Sequence, residues 1–190
     1  MQPSQLPDHS APSKPAPVRP NGRFMWSRTA HGVALAWGCG LSPWAPGTVG
    51  TLWAWVSFAL LSPWMNDARW GLLIVMALAG GVWACAVTAR NLGTRDPSCI
   101  VWDEVVAFWM VLWLVTPTDW DEQLLAFGLF RLFDIAKPGP VGWADRLFHE
   151  ASDTSSKLTW WKASMGIMLD DVVAAFCTVL VIALGRSLLG

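Results

Sequence analysis

The stretch IVWDEVVAFWMVLW, residues 100 to 113, sets two adjacent carboxylates, Asp103 and Glu104, against a run of apolar side chains and tryptophans. Residues 167 to 176, IMLDDVVAAF, repeat the order of apolar residues, two acids, Val, Val and Ala around Asp170 and Asp171. Both pairs read as the openings of short apolar helices. Consecutive side chains on a helix point about 100° apart, so one acid of a pair can face inward and the other a neighbour. First-turn acids offset the positive end of a helix dipole by roughly 0.3–1 kcal/mol, and capping is one account of them. The repetition opens a second: four carboxylates brought to one site repel unless a cation or a proton joins them. Hard oxygen ligands suit magnesium, which takes one or two carboxylates, keeps several waters and meets a substrate phosphate. Asp103, Glu104, Asp170 and Asp171 are therefore the candidate Mg2+ ligands.

A stretch of mixed charge supplies the opposite sign. In LFRLFDIAKPGPVGWADR, residues 129 to 146, Arg131, Asp134 and Lys137 are spaced by three on one side of a helix that Pro138 and Pro140 end, and Asp145 follows. Such a stripe is either a solvated face with weak ion pairs or, beside surplus carboxylates, an Arg and Lys clamp for a phosphate. In GLSPWAPGTVGTLWAW, residues 40 to 55, Gly47, Thr48, Gly50 and Thr51 leave backbone N–H groups and hydroxyls where a helix begins. That is a favourable place for an anion. The stretch lacks the Gly-Lys-Ser/Thr end of a Walker A loop, and an ordinary turn between membrane helices is the other reading.

The elements that must position these groups are helices in a membrane. The chain of 190 residues is 54% hydrophobic and only 14% charged, too apolar for an ordinary soluble domain, where about a quarter is charged. Fifteen Trp and no Tyr fit the headgroup boundary, which indole rings favour. A net charge of −1 gives no footprint for nucleic acid. Cys39, Cys85, Cys99 and Cys177 lack the spacing of a zinc site or a disulfide framework. Residues 1 to 23 are rich in Pro, Ser and Ala and read as a disordered tail whose Lys14, Arg19 and Arg23 keep it cytoplasmic.

After the tail the pattern predicts a helix around 30 to 40, a loop holding Pro43 and Pro46, and a helix around 50 to 62. Residues 70 to 89 are uncharged over about the length a bilayer core needs. The apolar runs 105 to 118 and 172 to 185 are short for spans, and so are tilted, partly immersed or packed inside a bundle. Strand alternation is absent. The expected fold is all-α, a compact helical bundle with transmembrane helices.

In order and spacing, PWAPGTVGTL, DPSCIVWDEVV, FRLFDIAKPGPV with Asp145, and MGIMLDDVVA resemble the phosphatidylglycerophosphatase A family over roughly residues 31 to 180. The resemblance implies a magnesium-dependent, all-helical lipid phosphatase of the bacterial cytoplasmic (inner) membrane, with its active site facing the cytoplasm. Its substrate would be phosphatidylglycerophosphate, converted to phosphatidylglycerol and phosphate. The family's polar motif positions fall on Asp103, Glu104, Asp134, Lys137, Asp145, Asp170 and Asp171 as catalytic residues, and its first motif on Thr48 and the glycines around it. Gly47, Thr48, Gly50, Arg131 and Lys137 are the phosphate-binding candidates. The domain would occupy residues 24 to 190. Residues 150 to 164 form an insert where the family has a short Gly-rich link, and they are expected at the periphery. Gly139 stands where the family has an aromatic residue, and Thr51 where it has Ser.

The chemistry fits these residues without the family name. Removing a terminal phosphate requires neutralising its oxygens, orienting a nucleophile and protonating the leaving oxygen. A metal-activated water is the expected nucleophile, and a covalent aspartyl-phosphate the alternative. Cys85 to Arg90 is one residue short of a C-x5-R loop. His31 and His149 are candidates for a general acid, although a lone histidine is more often structural. The rival from another class is a membrane ion transporter or channel, whose sign would be full-length spans with acids in their middles. A non-catalytic scaffold would need no carboxylate surplus.

Overall fold

Prolines and capping residues divide the chain into its helices. The computed structural model describes residues 20 to 144 and 159 to 188 in full, and the backbone alone of 145 to 149, 157, 158 and 189. Every regular element in that set is helical, as the missing strand alternation predicted. The tail up to residue 19 and the first part of the insert, 150 to 156, lie outside it.

Two short helices, α1 (Gly22–Trp26) and α2 (Thr29–Ala34), open the fold. The helix expected around 30 to 40 is thus shorter. A 3-10 segment, Ala36–Leu41, follows it, broken where Trp37 and Gly38 take positive φ. Helix α3 (Pro46–Leu61) starts four residues before the expected position. Pro46 sits in its first turn, where the missing N–H costs nothing and the fixed φ already suits a helix. The residue before it, Ala45, is left-handed at φ 41, a strained conformation for a side chain with a Cβ.

Helix α4 (Asp67–Leu92) is capped by Asn66, whose side chain accepts from the Arg69 N–H at 2.9 Å, and is closed by Gly93 at φ 70. It contains the expected span 70 to 89 and, among the described residues, is one of two helices long and apolar enough to cross a bilayer. Helix α5 (Trp102–Val115) is buried nearly all round, so the short run opening on Asp103 and Glu104 is a core helix packed inside the bundle. Thr116 ends it by donating its hydroxyl to the Leu112 carbonyl at 2.6 Å, and Pro117 cannot continue it. Helices α6 (Trp120–Ala136) and α7 (Pro140–His149) follow.

The second acidic pair brings a correction. It does not open a helix: α8 (Lys157–Leu189) runs 33 residues, and Asp170 and Asp171 lie near its middle. The expected helix 172 to 185 is the second half of α8. Residues 157 to 164, expected at the periphery, form its first two turns, where Ser164 is fully buried and donates to the Val82 carbonyl at 2.7 Å. The helix passes through its acids, with Asp170 paired to Lys137 at the end of α6, and α8 packs on α4, α5, α6 and α7.

Ser164 against Val82, and Trp160 beside Arg90, make α4 and α8 antiparallel. Both helices satisfy the length and apolarity of a membrane span and leave Leu72, Val75 and Met76 of α4, and Phe176, Leu180 and Leu184 of α8, exposed. A contiguous apolar surface of this kind suits lipid and would be a liability in water. The core beneath is aromatic. Trp109 lies tilted against Trp70 and edge-on to Trp102 and donates to Ser57 Oγ at 3.0 Å, while Phe108 packs against Phe127 and Phe130.

Candidate active site

The first turn of α5, the last turns of α6, the middle of α8, the start of α3 and the α4–α5 loop converge on a cavity of about 340 Å³. Its wall includes Gly47, Arg95, Asp103, Glu104, Arg131, Asp134, Lys137, Asp170 and Asp171. At its floor Asp103, Glu104 and Asp171 each offer a carboxylate oxygen within 4.8 Å of the others. One oxygen of each, Asp103 Oδ1, Glu104 Oε2 and Asp171 Oδ2, is buried without a hydrogen-bond partner among the described residues. An orphaned buried carboxylate oxygen is costly, and three neighbouring carboxylates that each carry one fit a divalent cation by charge, hardness and number.

Glu104 reads the same crowding. Its carboxyl is pushed up to about 7, first by burial, then by Asp134, with Arg131 pulling the other way. Burial also raises Asp103 well above the usual carboxylate range, with Glu104 adding to it.

Asp170 was expected among the metal ligands but turns elsewhere. Its Oδ2 accepts from Lys137 Nζ at 2.6 Å, and its Oδ1 from the Asp171 backbone N–H at 3.1 Å. The pair thus divides as consecutive helical positions do, one acid inward and one to a neighbour. On α5 both acids reach the cluster, Glu104 with its longer side chain.

The basic stripe of α6 is part of the wall. Arg131 Nη1 lies 2.6 Å from Asp134 Oδ2 and 3.5 Å from Glu104 Oε1. Lys137 ends α6 with φ 43, left-handed although it is not glycine, and this conformation accompanies its reach to Asp170. Gly139, two residues on, is also left-handed at φ 42, where the aromatic residue expected of the family would be strained. Asp145 is on α7 by its backbone, and its side chain lies outside the described residues, as does that of His149.

The Gly/Thr stretch divides. Gly47 is in the cavity wall, and a Cβ there would overlap Glu104 Oε1 and crowd Arg131. Gly50 faces Val101, whose Cβ would be 3.0 Å from an added Cβ. Thr51 is buried and donates to the Gly47 carbonyl at 2.9 Å, and Thr48 is not in the cavity wall. His31 lies away from the cavity: stacked on Phe24, it fits the tautomer whose Nδ1–H donates to the Phe24 carbonyl at 2.9 Å while Nε2 accepts from Asn91 at 2.8 Å. Arg95 and Ser98 also line the cavity; Ser98 belongs to the DPSCIVWDEVV motif, though it was not singled out, and Arg95 carries no motif signal in the sequence.

Lys137→Ala is expected to lower kcat/KM about tenfold or more, since a charge-assisted contact is lost and Asp170 is left without that cation. Lys137→Arg keeps the charge in another geometry and should recover only part. Steady-state kinetics of the two variants checks this, and full activity in the alanine variant would return Lys137 to a purely structural ion pair.

Fold and site together define a helical membrane-associated protein with a buried carboxylate cluster rimmed by basic groups, an arrangement suited to phosphate chemistry. The family model described as phosphatidylglycerophosphatase A matches residues 32 to 186. The chain is 35% identical to the phosphatidylglycerophosphatase A of Escherichia coli over 152 residues, 80% of each chain. It is 34% identical to that of Haemophilus influenzae over 152 residues, 80% of this chain and 85% of the relative. A Bacteroides thetaiotaomicron protein carrying the provisional name phosphatidylinositol-3-phosphatase is 34% identical over 168 residues, 83% of this chain and 94% of that one. No solved structure matches the chain. The chain belongs to the phosphatidylglycerophosphatase A family. The mid-helix position of Asp170 and Asp171 is the sign a transporter would give, but the family makes the protein a phosphatase.

Proposed function

We propose that the protein removes the terminal phosphate of phosphatidylglycerophosphate to leave phosphatidylglycerol, with Mg2+ held by Asp103, Glu104 and Asp171. The observation that carries this reading is the trio of orphaned carboxylate oxygens in a cavity that also holds Arg131 and Lys137. A divalent cation bound there supplies positive charge to the phosphoryl oxygens as they approach the acids. Arg131, steadied by Asp134 and Glu104, and Lys137, steadied by Asp170, orient the phosphate. Gly47 lets Glu104 and Arg131 lie close to the start of α3, whose free N–H groups favour an anion. The nucleophile is water, and trapping a labelled phosphoenzyme would instead favour the covalent aspartyl route.

A location in the bacterial inner membrane with a cytoplasmic site draws support from the basic residues. Arg90 and Arg95 at the C-terminal end of α4 and Lys162 near the start of α8 lie at one end of the antiparallel pair and Arg69 and Arg186 at the other, a small basic excess of the kind cytoplasmic ends carry. The tail 1 to 23, whose last two residues open α1, and the insert 150 to 164, whose residues 157 to 164 open α8, are read as additions to a catalytic domain at 24 to 190.

The headgroup is tested by comparing kcat/KM for phosphatidylglycerophosphate and phosphatidylinositol 3-phosphate, since one relative carries a name of the second kind. Preference for the first by about tenfold or more, a difference of roughly 1.4 kcal/mol in transition-state binding, is expected. The opposite preference would replace the substrate.

The carboxylates also predict a pH dependence without metal. A carboxyl raised to about 7 from 4.5 holds its proton more tightly folded than unfolded. Its contribution therefore favours the fold below about 4.5 and is lost as pH rises toward 7. Thermal unfolding in chelator should show Tm falling across that window and Mg2+ restoring it at pH 7. A metal-free Tm flat across the window would contradict this.

A further inference from the structure

Among the described residues, the cavity wall holds one cation that the phosphate chemistry at its floor leaves unused. Arg131 and Lys137 are committed to the acids, Arg131 to Asp134 and Glu104 and Lys137 to Asp170. Arg95 lines the same cavity from the α4–α5 loop, is half-buried, and makes no ion pair or hydrogen bond among the described residues, not even with its neighbour Asp96. Asp96 and Ser98 on that loop are exposed, whereas Asp103 and Asp171 are buried, so the loop forms the outer wall and the carboxylates the floor. An arginine held in a cavity wall without a partner is a donor fork waiting for an anion, and its geometry suits a phosphate. At about 340 Å³ the cavity is at the small end of ligand sites, large enough for a headgroup and too small for a whole diacyl lipid.

Resting on the phosphatase reading above, we propose that Arg95 binds the second phosphate of the substrate, the diester that joins the headgroup to diacylglycerol. The terminal monoester goes to the floor and the diester to the outer wall. Arg95 is then a specificity residue that selects lipids carrying both a monoester and a diester phosphate over those with a monoester alone.

Three probes separate this role from its rivals. In mixed micelles of phosphatidylglycerophosphate, Arg95→Ala should raise KM about tenfold while kcat changes much less, and Arg95→Lys should recover part of the KM. Glycerophosphoglycerol, a soluble diester with no monoester, should inhibit the wild type competitively and lose that potency in Arg95→Ala. Inorganic phosphate, which mimics only the monoester, should inhibit both proteins equally. Weaker inhibition by inorganic phosphate in the variant would move Arg95 to the monoester, and a fall in kcat with KM unchanged would make its role structural. Either result overturns the assignment while leaving the phosphatase reading intact. A wild type that releases no phosphate from the lipid overturns both.

Discussion

Replacing Asp171 by asparagine should cut turnover roughly a thousandfold, the several kcal/mol that a lost metal ligand removes from transition-state stabilisation, while leaving the fold in place. Asp171 lies in the interior of a 33-residue helix, so no capping role is at stake. Asparagine preserves its shape and removes its charge. In the protein without metal the same exchange should hold or raise Tm, because one of three crowded carboxylates no longer repels the others. Asp103→Asn should behave alike. Asp170→Asn should lose less, since its oxygen answers Lys137 rather than the cluster. Thermal unfolding in chelator beside turnover at saturating Mg2+ separates the cases, and normal turnover with normal Mg2+ dependence in Asp171→Asn would remove it from the metal site.

Gly47→Ala carries the second large effect. Alanine is the better helix former by roughly 0.5–1 kcal/mol, and by propensity alone the change should strengthen α3. The cavity has no room for it: the new methyl would overlap Glu104 Oε1 and crowd both terminal nitrogens of Arg131. Glu104 must move out of the trio, and activity should fall about a hundredfold, as when a misplacement on the order of 1 Å spoils a site. Gly50→Ala is the internal comparison. Its methyl meets Val101 rather than any charged group, so it should lower Tm and leave turnover per folded molecule far less changed. If both glycine variants lose stability and activity in proportion, Gly47 is a packing residue like Gly50.

The contrast between those two glycines illustrates how much the sequence made legible. Apolar runs and missing strand alternation identified an all-helical chain, and the uncharged run 70 to 89 located α4. The acids Asp103 and Glu104 opened their helix where the pattern set them. The second pair misled for a physical reason. Two acids before an apolar run look like a helix start, and the pairing of Asp170 with Lys137, 33 residues away in the chain, leaves no local signal that α8 runs through them. The split between Asp170 and Asp171 depends on helix phase relative to α5 and α6, which no local pattern records. Gly47 and Gly50 look alike in PGTVG because a motif does not say which face of α3 meets Glu104 and which meets Val101. Arg95 was silent because a loop arginine becomes informative only when its neighbours across the cavity are known.

The measurement that bears most directly on the account is inorganic phosphate released from phosphatidylglycerophosphate by the purified protein, titrated with Mg2+ from a chelated baseline. Negligible release in chelator, saturable activation by Mg2+, and one phosphatidylglycerol formed for each phosphate are expected. Release that is undiminished in chelator, or no release at any Mg2+ concentration from a folded protein, would contradict it.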